Sequence, residues 1–397
     1  MSLRRTWWVR ASLRSAGIFA LVVVVGEALA FVQSFAVSLP KSDVARTGLL
    51  YVFGFHHVGI RVSVSGRIPE LHRLLGRGFS VTYELHVALL LVTFGAGALL
   101  YLTGRRAAID AGRTGGAAAL CGLAAGPAYA LLALLGSFLA GFSLALPRIA
   151  ELRGTATLTL SVTHVQALGW PLAIAAAAGA LGGASVGAKG RFEEAIAIGT
   201  RTFAAGLVLA FVGLIVVAAV KPQATRAYLD ATAGGGLKGA DGLAHTALAA
   251  PNLAMWTFVP AMGGCDAVRG AALGRAFPAR DFLCYGAFPQ AGGRGTAPAP
   301  WFLFLLVPAG ALAIGMAGQR ASLPAAVAGG VVFALLVGLC SVLSGVALSV
   351  SDRHATAHAL IGPAPLRALV VALAWGVGGS VLLVVAERAL RRRRGGV

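Results

Sequence analysis

The sequence predicts an all-α polytopic membrane protein with about eight transmembrane helices, and its composition and the length of its apolar stretches are the basis. Of its 397 residues, 58% are hydrophobic and only 12% are charged, and the mean hydropathy is +0.82. Soluble domains carry about 25% charged residues, because water must solvate their surfaces. The apolar residues also collect in stretches of about 20, the length that crosses about 30 Å of hydrocarbon. We therefore expect a multi-pass protein of the cell membrane.

The eight predicted spans and the basic residues between them set the orientation. The spans lie at about 16–37, 83–103, 117–146, 166–187, 202–220, 301–317, 324–350 and 366–386. Arginines cluster at both termini and in alternate short connections, whereas the long loops 38–82 and 222–300 carry basic residues at lower density. The positive-inside bias therefore places both termini in the cytoplasm. The net charge of +19 follows from this bias and from anionic headgroups, so no nucleic-acid partner is expected.

Internal similarity predicts two parallel four-helix halves, residues 1–200 and 201–397, the second with the enlarged outer loop 222–300. ALLALLGSFLAGFSL from Ala130 and ALLVGLCSVLSGVAL from Ala334 align without gaps. Spans rich in Ala, Leu, Val and Gly also resemble each other through composition alone, and this alternative stays open.

The same alignment predicts two small-residue packing surfaces. It matches Ser137 with Ser341 and Gly141 with Gly345. Ser and Gly are four residues apart in each pair, so they would share one helix face where a neighbouring backbone can approach closely. We expect helix packing, and no ligand, at these positions.

The segment 245–265, HTALAAPNLAMWTFVPAMGGC, is long and apolar enough to be a ninth span. A ninth span would move the C-terminal arginines outside, against the positive-inside bias. Pro251, Asn252, Pro260 and the pair Gly263 and Gly264 also interrupt it, so we interpret it as a re-entrant or interfacial element.

Glu27 is the one carboxylate well inside a predicted span. Intramembrane acids are costly, and they commonly carry protons or bind cations. The equally weighted alternative is a hydrogen bond to a neighbouring helix, near Gln33.

All eight histidines fall in outer loops or at outer span ends under this topology. Imidazoles there can bind zinc or copper, or respond to acid, and His354, His358 and His86 are the weak metal candidates. His354 and His358 have the spacing of one helix face. Single histidines at a membrane interface are more often simple amphipathic anchors, and we favour that interpretation.

Cys265 and Cys284 both lie in the second outer loop, outside the reducing cytosol. A disulfide between them would close a loop of about 20 residues and contribute about 3 kcal/mol. Two unpaired buried thiols are an equally weighted alternative.

PNLAMWTFVPAMGG, followed by FLLVPAG from Phe304 to Gly310, resembles a family of actinobacterial polytopic proteins. These are the PerM-like cell-division membrane proteins and their streptophobe relatives. Pro251, Asn252, Trp256 and the Gly263-Gly264 pair carry the resemblance, although the relatives have a Gly-Pro-Gly-like turn where this chain continues into Cys265. The resemblance implies a non-enzymatic role in division or envelope maintenance and supplies no catalytic residues.

Three functional hypotheses follow. The favoured one is an accessory or scaffold that binds other membrane or division proteins, because no nucleotide-binding, nucleophile-elbow or zinc-helix motif is present and no cofactor is implied. The second is a secondary transporter or channel, proton-coupled through Glu27. The third, an enzyme acting on a lipid carrier, would use Glu84, His86 and His164 and ranks last.

Overall fold

The computed structural model describes most of the chain. The described residues are 6–34, 41–67, 79–145, 155–186, 190–220, 223, 239–272, 275–284, 287–289, 296–298, 301–317, 322–352 and 355–394.

Within these ranges the protein is mostly helical. Its helices are α1 (Trp7–Ser34), α2 (Lys41–Phe55), α3 (Leu90–Asp110), α4 (Gly115–Gly122), α5 (Ala125–Ser137), α6 (His164–Ala184), α7 (Arg191–Val220), α8 (Gly239–Ala261), α9 (Trp301–Met316), α10 (Leu323–Ser344), α11 (Pro365–Leu373) and α12 (Ser380–Arg394). A π-helical segment, Ala374–Gly379, joins α11 to α12.

The structure also contains β-strands, so the expectation of an all-α fold is wrong. The strands are β1 (Ile60–Arg67), β2 (Phe79–His86), β3 (Phe142–Ala145), β4 (Thr155–Val162), β5 (Cys265–Ala272), β6 (Arg275–Cys284), β7 (Ala287–Pro289), β8 (Thr296–Pro298), β9 (Val346–Ser351) and β10 (Thr356–Pro363). Eight of them form one sheet in the order β3-β4-β1-β2-β9-β10-β5-β6, and β7 pairs with β8 separately.

A hydropathy window does not separate these strands because they directly adjoin apolar helices. The predicted spans 83–103, 117–146 and 324–350 each include residues of a strand, since β2 ends at His86 and β3 and β9 follow α5 and α10. A window of about 20 residues averages the alternating Val and Ser of a strand into the neighbouring helix, whereas the period of two distinguishes them. The period was readable in β1, IRVSVSGR.

Six described helices are long and apolar enough to cross a membrane, so the expectation of about eight spans is not confirmed. They span Trp7–Ser34, Gly115–Ser137, His164–Ala184, Glu193–Val216, Leu323–Ser344 and Pro365–Ala389. The helix in the predicted span 83–103 is not one of these six. It starts only at Leu90, and its last turns contain Arg105, Arg106 and Asp110. The predicted span 301–317 corresponds to α9, which has 16 residues.

The segment 245–265 is helical for most of its length. Helix α8 continues through Pro251 and ends at Ala261, so the expected interruption at Pro251 and Asn252 is absent. The chain turns at Gly263, whose φ is +96°, and β5 begins at Cys265. A re-entrant position in the bilayer stays a prediction.

The chain divides into two compact units. The first comprises Met1–Gly187 with Arg269–Pro278 and Val346–Leu360, and the second comprises Ala188–Val268, Ala279–Gly345 and Ile361–Val397. The predicted boundary after residue 200 lies inside α7.

Each unit is built around its first long helix. In the first, α1 packs against α2, α3 and α5, and a core that includes Phe53, Phe55 and Tyr129 fills the space. In the second, α7 packs against α8, α9 and α10, with Phe258 against Phe333 in a T-shaped contact.

The predicted Ser and Gly packing surfaces are not found. Helix α5 ends at Ser137, and Gly141 lies beyond it and is exposed; α10 ends at Ser344, and Gly345 follows it in extended backbone. Residues four apart share a face only inside a helix, so neither pair forms the expected surface.

Close packing of small residues occurs instead on α6. A Cβ atom added at Gly179 or Gly182 would overlap the backbone of a neighbouring helix, at Gly122 and Tyr101 respectively. The sequence pattern GALGGA at the end of α6, which contains Gly179 and Gly182, indicates this packing.

Candidate functional site

The turn between α2 and β1 holds one histidine in an unusual backbone conformation. The amide of Val58 donates to the carbonyl of Phe53 at 3.1 Å, and the amide of His57 donates to the carbonyl of Gly54 at 3.2 Å. These bonds close the end of the helix and require a left-handed residue, which is usually glycine. Here it is His57, with φ of +60°, the one non-glycine residue with positive φ in the described ranges. A non-glycine residue there costs about 1–2 kcal/mol, which makes the position a candidate for function.

Glu84 is the charged centre of the surrounding group. Arg61 lies opposite it in the pairing of β1 and β2, and its Nε donates to Glu84 Oε2 at 3.1 Å. The hydroxyl of Thr163 donates to Oε1 at 3.1 Å, and Nε2 of His86 lies 3.3 Å from the same oxygen. Burial alone would raise the pKa of Glu84, but the bonds from Arg61 and Thr163 and the nearby positive charges outweigh it and lower the pKa. Glu84 is therefore a carboxylate at neutral pH.

His86 and His57 lie side by side next to this carboxylate. His86 Nδ1 is 3.5 Å from the carbonyl oxygen of His57, and the two ring centroids are 5.8 Å apart. The rings of His57 and Trp170 are nearly perpendicular, with their centroids 5.2 Å apart. The buried Nδ1 of His57 has no hydrogen-bond partner among the described residues. Burial and then the charge of His86 lower the pKa of His57 to about 4. His57 is therefore a neutral imidazole with a free polar atom.

A glycine allows this group to assemble. The amide of Gly59 donates to Gln166 Oε1 at 2.8 Å, and a Cβ atom at Gly59 would overlap the Glu84 carboxylate and crowd His86. Any side chain there would displace both. We call these residues the His57 cluster: His57, Gly59, Arg61, Glu84, His86, Thr163 and Gln166.

The His57 cluster can hold and exchange protons or bind a small polar group. It is not a preformed metal site, since the one trio of possible ligands close enough together in the described residues is Cys265, Asp281 and Cys284. Two of those three are joined in a disulfide, so their thiolates are not available. Of the metal candidates from the sequence, His86 lies in the cluster and His354 lies outside the described residues. His358 is exposed on strand β10, so the expected helix face is wrong.

Two other histidines have structural partners. His56 Nδ1 donates to the carbonyl of Val52 at 2.6 Å, and Nε2 accepts from the hydroxyl of Tyr129 at 2.7 Å. Its burial lowers the pKa to about 4. Nδ1 of His164 is hydrogen-bonded to the hydroxyl of Ser137 at 2.7 Å. The His164 ring stacks on that of Phe138, with the two centroids 4.3 Å apart. Glu84 and His86 thus come together as expected, but His164 has other contacts.

Glu27 lies where α1 crosses α2. Its carboxylate occupies the space that a Cβ atom at Gly48 would need. A Cβ atom at Gly26 would likewise overlap the carbonyl oxygen of Gly48. Gln33, one to two turns further on, accepts a hydrogen bond from Tyr51 at 2.7 Å. The crossing depends on the two glycines, and it leaves the carboxylate only partly buried.

The second unit contains a turn of the same form between α8 and β5. The amide of Gly264 donates to the carbonyl of Val259 at 3.0 Å, and the amide of Gly263 donates to the carbonyl of Pro260 at 3.0 Å. Gly263 adopts the left-handed conformation. The indole of Trp256 donates to the carbonyl of Ser344 at 2.9 Å. Pro251 and Asn252 lie one turn earlier in α8.

A disulfide joins Cys265 and Cys284 directly after this turn. Arg367 binds both carboxylate oxygens of Asp281, at 2.9 and 3.1 Å. Asp266 is fully buried, and neither of its oxygens has a partner in the described part of the chain. Burial raises its pKa well above the ordinary value. The turn at Gly263 is therefore closed by a covalent bond and lies next to a buried acid.

The sequence did not identify His57, Arg61, Thr163 or Gln166 as parts of a site. A signal existed in the pair His56-His57 followed by an alternating strand and in the spacing of Glu84 and His86. The pairing that joins them is not local, and no sequence period records it.

Comparison with known proteins does not assign the chain to a group. No protein-family model, curated protein or solved structure matches it.

Proposed function

We propose that this protein is a non-enzymatic accessory or scaffold of the cell membrane that binds a partner protein through one face of its sheet. The resemblance to the PerM-like family supports a role in division or envelope maintenance. The observation that carries the proposal is the chemical difference between the two faces of the sheet in the first unit.

Apolar and polar side chains alternate along the strands of the first unit. Directly paired residues lie on the same face, as Val62 does with Tyr83 and Leu160, and as Leu85 does with Leu348. One face, which we call the apolar face, is formed by Val62, Val64, Val81, Tyr83, Leu85, Leu158, Leu160, Leu348 and Val350. The other carries Ser63, Ser65, Ser80, Thr82, Thr157, Thr159, Ser161, Ser349 and Ser351.

The apolar face is incompletely covered. Leu160 packs against the helical core, but Tyr83, Leu85 and Leu348 are 40%, 38% and 36% exposed. Contiguous exposed apolar residues commonly mark protein interaction sites, because covering them removes apolar area from water. A sheet outside the six apolar helices is available to a partner in the aqueous phase or at the membrane surface.

The order of the elements supports a second part of the proposal, two parallel repeats. The order helix, helix, hairpin, helix occurs in residues 7–110 and, with the additional strand pair β7 and β8 before the last helix, again in 191–316. A further hairpin follows each after one or two more helices. The strand order β3-β4-β1-β2 has the same form as β9-β10-β5-β6, since the later hairpin precedes the earlier one in both. The matching turns at His57 and Gly263 agree with this.

The test is photocrosslinking in native membranes. A benzophenone amino acid at Leu85 should form a covalent adduct of one defined mass with a protein, whereas the same probe at Ser65, exposed on the other face, should not. Leu85→Asp should abolish co-purification of that protein, and Ser65→Asp should preserve it. Adducts with lipid alone, or equal adducts at both positions, would contradict the proposal.

A secondary transporter remains the second candidate, and the position of Glu27 favours it. A carboxylate at a glycine-lined crossing of two helices can carry a proton if the crossing opens. Proton flux into proteoliposomes that is lost in Glu27→Gln and retained in Glu193→Gln, an exposed glutamate of α7, would establish transport. Equal flux in both variants and in empty liposomes would exclude it.

A further inference from the structure

The first unit has an open cavity between α1 and α3, at the ends of these helices that carry arginine. Its volume is about 340 Å³. We call it the Arg14 groove, and it is lined by Arg14, Gly17, Ile18, Leu21, Leu99, Leu102, Thr103 and Arg106. Arginines at one end and aliphatic side chains along the rest give it two chemically distinct parts.

The polar end carries a net positive charge. Arg14 pairs with Asp110 at 3.6 Å, which is beyond hydrogen-bonding distance, and neither Arg14 Nη1 nor Asp110 Oδ2 has a hydrogen-bond partner among the described residues. Arg106 is exposed. Two guanidinium groups and one carboxylate leave one positive charge, and a guanidinium binds phosphate oxygens in a bidentate manner.

The apolar end is long enough for part of an acyl chain. Arg14 and Leu21 are seven residues apart on α1, which is about 10 Å along a helix. Leu21, Leu99 and Leu102 are all exposed, so this surface would face lipid. A Cβ atom at Gly17 would meet nothing within 4 Å, so the groove is open at its middle.

We propose that the Arg14 groove binds one anionic phospholipid. Its phosphate lies between Arg14 and Arg106, and one acyl chain lies along Ile18, Leu21 and Leu99. The arginines fall on the side that the positive-inside bias assigns to the cytoplasmic leaflet, where anionic lipids are available. A zwitterionic lipid fits less well, because its positively charged ammonium group would lie near the same two arginines.

The test measures lipid binding to the purified full chain by native mass spectrometry. Dioleoyl phosphatidylglycerol, dioleoyl phosphatidylcholine and glycerol 1-phosphate are titrated separately. We expect one molecule of phosphatidylglycerol to bind at least fivefold more tightly than phosphatidylcholine, and no binding of glycerol 1-phosphate over the same range.

Two variants with matched controls locate the site. Arg106→Gln should weaken phosphatidylglycerol binding about fivefold, since an arginine near a charged lipid surface contributes on the order of 1 kcal/mol, while Arg105→Gln, its exposed neighbour outside the groove, should not. Gly17→Leu should fill the groove and abolish the tight site, whereas Gly169→Leu, also in open space on α6, should preserve it.

The proposal is overturned by equal affinity for the two lipids, or by equal binding in Arg106→Gln and Arg105→Gln. Tight binding of glycerol 1-phosphate alone would also overturn it, because the acyl groove would then have no role. Melting temperatures of all four variants show whether each has folded, and two independent variants keep the test decisive if one has not.

Discussion

The turns at His57 and Gly263 have the same backbone conformation but are stabilised by different interactions. Both close a helix with the same pattern of hydrogen bonds, and both lead into a strand. Beyond the turn, the carbonyl of Gly59 accepts from the amide of Thr163 at 3.2 Å, and the carbonyl of Cys265 accepts from the amide of Ala364 at 3.3 Å. In the first turn the left-handed residue is a histidine beside a charged cluster. In the second it is a glycine beside a disulfide.

Because of this difference, the two turns should respond differently to reduction and to acid. The second is closed by a covalent bond and lies beside a buried acid, so reduction should loosen it and acid should favour it. The first is held by ionised and neutral groups whose balance depends on pH, so acid should loosen it. The same backbone geometry thus supports opposite responses, and four predictions test this contrast.

The largest expected effect is loss of the disulfide. The Cys265 to Cys284 bond closes a loop with a sequence separation of 19, and the chain-entropy estimate for such a loop is about 3 kcal/mol. Cys265→Ser should lower the melting temperature in detergent, and Cys284→Ser should lower it equally. Reductant should lower that of the native chain and leave both variants unchanged. If reductant has no effect on the native chain, the second turn does not depend on the bond.

The next effect is stabilisation by Asp266→Asn. Because the folded pKa of Asp266 is raised, this group opposes folding once the pH rises above its ordinary value. Because asparagine has no proton to take up on folding, the substitution should raise stability at pH 7 by removing a penalty that grows by about 1.4 kcal/mol per pH unit above the ordinary pKa of the acid. The gain should disappear as the pH falls towards 4. Asp281→Asn, which breaks the pair with Arg367, should instead destabilise.

The first turn should respond to acid in the opposite direction. His57 has a folded pKa of about 4 against an ordinary value of 6.5, so its contribution to stability is complete above pH 6.5 and is lost as the pH falls towards 4. Each such histidine contributes about 1.4 kcal/mol per pH unit in that window.

Melting curves from pH 7 to pH 4.5 measure this slope. His57→Gln should reduce it, and His56→Gln should reduce it similarly because its pKa is lowered as far. A slope that is the same in the native chain and in His57→Gln would contradict a neutral, buried His57.

The smallest effect concerns the left-handed position itself. Gly263→Ala should cost about 1 kcal/mol, because its φ is +96° and no neighbour within 4 Å adds a clash. At the first turn, His57→Gly should be more stable than His57→Ala by about the same amount. If alanine is tolerated equally at both positions, the left-handed backbone is not a source of strain in either turn.

The membrane class and most helices could be predicted from the sequence, and the sheet could not. The apolar stretch in α1 is longer than any soluble helix face requires, so composition sufficed there. The strand Ile60–Arg67 has a clear period of two, but its partners Phe79–His86 and Thr155–Val162 are distant in the chain. A one-dimensional pattern does not specify which strands pair.

The candidate site shows the same limit. Glu84 and His86 were noticed as neighbours because they are two residues apart on one strand. Arg61 is 23 residues from Glu84, and Gln166 is 107 residues from Gly59. These contacts depend on strand register and on the packing of α6, which are decided only when the chain folds.

The sequence by itself determined that this chain belongs in a bilayer, where its apolar segments lie and which cysteines share one loop, because these are properties of composition and local order. Tertiary structure alone decided that hairpins between the helices join into an eight-stranded sheet and that the strands of the first unit share one apolar face. It also decided that a histidine and a glycine occupy the same position in two turns. The physical reason is that hydrogen bonds between strands and contacts between helices join residues far apart in the chain, and their free energy appears only when those residues meet.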